Sequence, residues 1–284
     1  MIADFETNLE RVLAQATSGN SPARLGEAMH YAVFPGGARV RPLVCLAVAS
    51  AHKQQHEPLA QSCAMAIELM HCASLVHDDM PCFDNADLRR SKPSVHKSFG
   101  QPLALLVGDA LIVLAFQTLA ESTTVKLEQQ RRALAILSRS VGAPSGIIAG
   151  QAWECEEEID LSTYHRSKTG SLFVAASMLG ALSAGQDPED WRVFGASLGE
   201  AYQVADDLRD VTLSEEESGK SPSKDAELGR PNAVTAMGVS ATRDRFEHLL
   251  QATTASIPQC DGADHLKALV LSESERLMSK CQAD

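Results

Sequence analysis

The sequence predicts an all-α fold, on three observations. Alanine and leucine abound while aromatic residues make up 5% of the 284 residues, a balance that favours helix over strand. Apolar residues recur at helical spacing along nearly the whole chain. No alternating strand run, hairpin signal or short internal repeat interrupts them. With no interdomain linker, residues 1–284 read as a single domain, and a hydrophobic fraction of 44% is ample for its core.

The elements follow in order. In residues 4–17, Phe5, Leu9, Val12 and Leu13 form the stripe of an amphipathic helix. Ser21-Pro22 reads as cap and first turn of a second helix that ends near Pro35-Gly36-Gly37. Pro42 can start a third, through Ser50. Residues 58–79 are long and nearly uncharged, which places them centrally. Further helices are expected at 101–121, 125–140, 144–158, 162–183, 188–209, 234–255 and 262–281. Two polar stretches, 84–100 and 213–232, read as long loops of the kind that serve as lids or binding loops.

The net charge of −12 argues against a nucleic-acid partner held through its phosphates. An anionic substrate would need metal ions or local groups of Arg and Lys. The 7 cysteines are scattered and lack a zinc-type spacing, so reduced thiols and a cytoplasmic protein are expected. Asp4 and Glu6 do not suit a secretory signal, and no uncharged apolar run reaches the length of a membrane span. An integral membrane protein is therefore not expected.

Two aspartate clusters dominate the chain: Asp78-Asp79-Met80-Pro81-Cys82-Phe83-Asp84 and Asp206-Asp207-Leu208-Arg209-Asp210. Neighbouring carboxylates repel and are costly to desolvate. Two such clusters beside apolar helices make sense when something divalent sits between them. Hard oxygen ligands suit magnesium, which keeps several waters and is completed by substrate phosphates. On a helix, Gln203, Asp206, Asp207 and Asp210 follow i, i+3, i+4, i+7 and line one edge. A generic Asp-Asp-x-x-Asp is as readily a solvated face, but Leu198, Tyr202, Val204, Ala205, Leu208 and Val211 surround this one. Pro81 breaks or kinks the helix close to Asp78-Asp79, so Asp84 can swing back to the same metal. His71 and Ser74 share the face of Asp78; a histidine there is either a core residue or a ligand-binding one. Arg89-Arg90 suits bidentate phosphate recognition. Lys168-Thr169-Gly170 presents a cation and a hydroxyl at the start of an apolar helix. Arg39 and Arg41 follow a Gly36-Gly37 turn that can bring backbone N–H groups to a ligand.

In these residues, and over about 22–255, the chain resembles the trans-isoprenyl diphosphate synthases (polyprenyl synthetases). His71 to Asp84, with Leu88-Arg89-Arg90, is similar to the family's first aspartate-rich motif, and Gln203 to Asp210 to its second. Gly108-Asp109-Ala110, Gly150-Gln151 and Lys168-Thr169-Gly170 match shorter signatures between them. The resemblance implies an isoprenoid synthase-type antiparallel helical bundle around a deep central cavity, usually as a homodimer. It implies three magnesium ions per active site, a role that falls to Asp78, Asp79, Asp84, Asp206, Asp207 and Asp210. Arg89, Lys168 and Lys220 would hold an allylic diphosphate, and Arg41, His71 and Arg90 isopentenyl diphosphate. Thr169, Gln203 and the Lys168 carbonyl would steady an allylic cation. The 213–232 loop would be a lid that carries Lys220.

Growth of the chain in this family stops where bulky residues stand four and five positions before the first aspartate. Here these are Ser74 and Ala73, both small. With the two extra residues of the first motif, they resemble bacterial geranylgeranyl diphosphate synthases and imply a C20 product, farnesyl (C15) being the alternative. Three positions depart from the family. Ala38 replaces a lysine expected on isopentenyl diphosphate, for which Arg39 or a neighbour is expected to compensate. Glu154 stands where an aspartate is common, and Arg230 where Gly-Lys is usual. A non-catalytic partner subunit would lack one acidic motif, and a class I terpene cyclase would replace residues 206–210 and dispense with a second diphosphate site.

Overall fold

The structure is a computed structural model in which residues 2–34, 36–53, 57–122, 126–212 and 232–279 are described. Helices α1 (Ile2–Ala16), α2 (Ala23–Val33), α3 (Val40–Ser50) and α4 (Glu57–Asp78) come first. A hairpin of two-residue strands, β1 (Leu88–Arg89) and β2 (Lys92–Pro93), leads to α5 (Val95–Phe99) and α6 (Gln101–Ala120). Then follow α7 (Leu127–Val141), α8 (Ile147–Ala152), α9 (Leu161–His165), α10 (Ser171–Ser183) and α11 (Arg192–Thr212). The chain ends in α12 (Ala233–Met237), α13 (Val239–Ala255) and α14 (Ala263–Ser279).

The bundle is built around α4 and α10, whose sequences carry apolar residues on every side and so must be enclosed. Helix α4 packs against α3, α6 and α10, and α10 against α3, α7 and α11. Glycine allows several close approaches among these: a Cβ on Gly180 of α10 would lie 2.4 Å from the Cys45 carbonyl oxygen of α3, and one on Gly199 of α11 would lie 2.8 Å from the Cα of Gly170. The start of α10 therefore sits directly on the helix that carries the second acidic cluster. On α1, the expected stripe is the buried one, with Phe5, Leu9 and Leu13 in the core, each contributing roughly 1.5–3 kcal/mol by burial.

Several boundaries differ from expectation, each for a local reason. Ser21 does not cap α2; Pro22 occupies the cap position and Ala23 begins the helix. Helix α3 begins at Val40, ahead of Pro42, after Arg39 in the left-handed region (φ 52). The 84–100 stretch contains the hairpin and α5, because Arg90 and Ser91 adopt left-handed φ (53 and 60) without the Gly or Asn that marks such turns. The expected 144–158 helix shrinks to α8 and a 3₁₀ turn, Trp153–Cys155, and the 162–183 helix divides into α9, a π turn (Arg166–Gly170) and α10. Residues 188–191 form a 3₁₀ turn capped by Asp187 before α11. The 234–255 helix breaks at Gly238, whose φ is 83. By length and composition α4 and α6 would each pass as a membrane span, although Glu68 and Asp109 interrupt them; α4 is mostly enclosed by the bundle. The 213–231 segment, with Lys220 and Arg230, lies outside the described residues, as does Cys281.

One buried ion network ties the N-terminal helices together. Arg39 donates to Glu6 on α1 (2.8 and 3.2 Å), to Glu68 on α4 and to the Val33 carbonyl ending α2 (2.9 Å). Glu68 and Arg39 are both buried, so removing either partner would strand a charge, at about 3–5 kcal/mol. This corrects the expectation that Arg39 compensates for Ala38: its guanidinium is buried against Gly36 and committed to Glu6, Glu68 and the Val33 carbonyl.

Candidate metal and diphosphate site

The first acidic cluster is assembled where α4 stops. Pro81 cannot continue the helix, and the chain coils back, with Asp84 N–H donating to the Asp78 carbonyl (3.0 Å) and Ala86 N–H to that of Asp79 (3.1 Å). Asp84 thereby returns to Asp78, as expected. One ligand oxygen from each of Asp78, Asp84 and Glu154 lies within 4.8 Å of the others. Glu154 comes from the 3₁₀ turn after α8, and sequence reasoning noted it only as a departure from an aspartate. Its spacing from Gln151 was the available signal.

Lys168 lies between these carboxylates. Its Nζ donates to Asp78 Oδ1 (3.1 Å) and to Glu154 Oε1. Burial alone would lower its pKa, but Asp78, Tyr164 and Glu154 outweigh burial and raise it. Glu154 is itself fixed by the Tyr164 hydroxyl (2.7 Å) and the Gln151 amide (3.0 Å). The π turn carries Lys168 and Thr169 next to each other but aims them apart. Thr169 Oγ1 donates to Gln203 Oε1 on α11 (2.6 Å). Adjacent residues thus reach one acidic cluster each.

Asp79 takes a different part from Asp78. It is 2% exposed, and both its oxygens accept from Arg89, whose Nε lies at 3.0 and 3.1 Å. Burial raises the Asp79 pKa more than Arg89 lowers it. Asp79, expected among the metal ligands, is instead the anchor of Arg89, because the turn after α4 points it under the hairpin. Asp207 is the parallel case. At 4% exposure, it accepts from the Gln203 amide (2.9 Å) and the Ala233 backbone N–H (2.9 Å), so it is turned into the fold as a cap for α12. Asp206 stays on the open face, paired with Arg209 at 3.2 Å, and Asp210 is exposed beyond it. Arg209 was not singled out from sequence.

A cationic group lies beside these acids. Arg41 NH1 is 3.4 Å from His71 Nε2, and its guanidinium stacks over Phe173 (4.6 Å) and Tyr202 (5.8 Å). Arg41 Nε is buried without a hydrogen-bond partner among the described residues, and such a donor calls for an acceptor. Burial, reinforced by Arg41, Arg90 and Arg89, holds the His71 imidazole well below its usual pKa. Arg90 packs so closely on Gly37 that a Cβ there would lie 2.8 Å from its guanidinium. Ala73 is 1% exposed, and the Ser74 hydroxyl turns back to the His71 carbonyl (2.8 Å), so the wall before the first aspartate is made of small groups.

The donor set fits a hard divalent cation. Asp78, Asp84 and Glu154 offer oxygens close enough to share one ion, and Asp206 and Asp210 add two more carboxylates from α11. Oxygen-only ligands and neighbouring phosphate-binding cations suit magnesium.

The sequence matches the family model described as Polyprenyl synthetase over residues 22–265. It is 45% identical over 278 residues to a geranylgeranyl diphosphate synthase of Cereibacter sphaeroides, covering 96% of either chain. It is 44% identical over 274 residues to a geranylgeranyl diphosphate synthase of Rhodobacter capsulatus, covering 96% of this chain and 95% of that relative. The fold is similar to the crystal structure of a geranyltransferase from Helicobacter pylori complexed with magnesium and isoprenyl diphosphate. The TM-score is 0.77 at 28% identity, over 98% of this chain and 96% of that one.

Proposed function

The chain belongs to the polyprenyl synthetase family, and we propose that it joins isopentenyl diphosphate head-to-tail (1′-4) to an allylic diphosphate, giving geranylgeranyl diphosphate (C20). The observation that carries this reading is the divergent pair Lys168 and Thr169, which links the two acidic clusters. A diphosphate lying between the clusters would meet Lys168 and Arg89, and a second diphosphate beside it would meet Arg41 with Arg90.

Magnesium, three ions per site, would be held by Asp78, Asp84, Glu154, Asp206 and Asp210 and would neutralise the diphosphate as it leaves the allylic carbon. The residues of the chain supply the rest. Lys168 and Arg89 bind the same leaving group, so charge is stabilised where it develops. The Thr169 hydroxyl and Gln203 amide, aligned on each other at 2.6 Å, turn oxygen dipoles toward the electron-poor carbon. Arg41, Arg90 and His71 hold the diphosphate of the second substrate, and the unpartnered Arg41 Nε supports that placement. The isopentenyl double bond attacks the allylic carbon, and the departing diphosphate accepts the proton lost from the new chain. Apolar walls keep out water that would quench the cation.

The small Ala73 and Ser74 support growth beyond C15. The same reading makes the protein a cytoplasmic homodimer joined through the outer face of α6, where Leu105, Leu106 and Val113 are exposed, a kind of patch that marks interfaces. Purified protein incubated with isopentenyl diphosphate and dimethylallyl, geranyl or farnesyl diphosphate should give a magnesium-dependent C20 product that EDTA abolishes. A product ending at C15 would keep the chemistry and overturn the chain-length reading. No product from any primer would favour a non-catalytic partner subunit, for which Ala38 is the supporting feature.

A further inference from the structure

The Gly108-Asp109 pair stands in the middle of α6 and takes no part in the chemistry above. Glycine weakens a helix interior, and Asp109 is the single charged residue of this helix. Both face His77, the residue immediately before Asp78. The His77 ring lies against the α6 backbone so closely that a Cβ on Gly108 would fall 2.0 Å from Nε2 and 2.4 Å from Cδ2. Nε2 is 3.4 Å from the Leu105 carbonyl and 3.8 Å from Asp109 Oδ1. A carbonyl and a carboxylate are both acceptors, so Nε2 carries the proton and faces the two together.

We infer that His77, Gly108 and Asp109 form a strut that positions the Asp78 carboxylate, so that α6 fixes the end of α4 on which the first acidic cluster is built. The inference rests on the reading of Asp78 as a metal-holding residue. The end of α4 needs such a hold. Its last carbonyls are taken up by N–H groups of the irregular turn that follows, Met80 N–H donating to His77 and Asp84 N–H to Asp78, and Pro81 prevents the helix from continuing, so no further helical turn fixes the direction of its end. Neighbouring side chains on a helix are offset by about 100°, so a ring clamped at position 77 sets the direction in which the Asp78 side chain leaves. The glycine makes the clamp possible, and Asp109 with Leu105 gives it an orientation.

The test measures Mn²⁺ binding, with the free ion read by electron paramagnetic resonance, alongside melting temperature and the Mg²⁺ dependence of product formation. Gly108→Ala is the informative variant. Its new methyl displaces the imidazole, a flexible side-chain end, while alanine strengthens the helix, so the melting temperature should hold or rise. Dissociation constants for Mn²⁺ should rise about tenfold in Gly108→Ala and His77→Ala, the usual effect of losing a residue that orients a ligand. Asp109→Asn should fall between these and the parent, and His77→Gln, which keeps a donor, should recover most of the loss. Unchanged Mn²⁺ binding in both Gly108→Ala and His77→Ala would overturn the strut. Asp78→Asn separates the two readings: if it weakens Mn²⁺ binding while the strut variants do not, only the strut falls. If Asp78→Asn leaves binding unchanged, the metal-holding role of Asp78 itself is wrong.

Discussion

The two acidic clusters secure their carboxylates in opposite ways. At the first, the helix ends and the partners come from other elements: Arg89 from the hairpin, 10 residues on, and Lys168 from the π turn, 90 residues on. At the second, α11 runs straight through, and among the described residues Gln203 and Arg209, one turn away, bond its carboxylates. Among those residues a more distant partner is a backbone N–H, that of Ala233. The first cluster is thus a product of tertiary structure and concentrates charge from three elements. The second is a product of helical periodicity, with one of its acids committed to holding the next helix. Changes at the first should therefore alter the chemistry, and a change at Asp207 should alter stability.

The largest effect is expected at Lys168. Lys168→Met leaves Asp78 and Glu154 facing each other without their shared cation and removes a charge from the leaving group. Turnover should fall by about 10²–10³-fold, the scale of losing one preorganised electrostatic contact, in steady-state assays at saturating Mg²⁺. A variant that keeps parental kcat would show that this long-range assembly does not contribute to the reaction.

The same contrast explains what could be read in the sequence. The open face of α11 was legible because Gln203, Asp206 and Asp210 recur with the period of a helix, and the break at Pro81 was legible because proline cannot continue one. The i, i+3, i+4, i+7 rule also placed Asp207 on that edge, where one of its oxygens meets the Gln203 amide, but it could not show where the other oxygen goes. An offset of about 100° from Asp206 was enough to turn Asp207 inward to an N–H of α12, a partner that no local pattern announces. Glu154 was missed for the complementary reason: it comes to Asp78 and Asp84 through tertiary structure, where α8 packs on the π turn whose Lys168 reaches Asp78. Arg39 was misjudged because Glu6 and Glu68, which capture it, stand 33 and 29 residues away.

Asp207→Asn sharpens the comparison from the second side. The substituted side chain keeps one oxygen that can accept from the Gln203 amide, but its new NH₂ group would then face the Ala233 N–H, donor against donor, in a buried place. Leaving such a group unsatisfied costs about 1–3 kcal/mol, which should appear as a lower urea midpoint with the slope unchanged. Turnover at a temperature where the variant is folded should change far less than in Lys168→Met. Equal losses of turnover in the two variants, with no loss of stability in Asp207→Asn, would mean that Asp207 belongs with the metal-holding acids after all.

The smallest effect concerns acid. His71 lies two turns before Asp78 among Arg41, Arg90 and Arg89, and its pKa is held well below 6.5 by burial first and by those cations second. The unfolded chain therefore binds a proton at this site that the folded chain refuses. The resulting stability is fully present above about pH 6.5 and is lost as pH falls toward the folded value, because the unfolded state then carries the extra proton. A slope of up to about 1.4 kcal/mol per pH unit follows from one such group. His71→Asn should remove it, so that the fall in urea-unfolding free energy between pH 7 and pH 5 shrinks by about 1–2 kcal/mol. Inorganic diphosphate should flatten the parent's acid limb in the same way, since an anion beside Arg41 and Arg90 offsets the cations that oppose protonation. An acid limb that is unchanged in His71→Asn would move the acid sensitivity elsewhere, with the half-buried His165, also depressed chiefly by desolvation, as the next residue to replace.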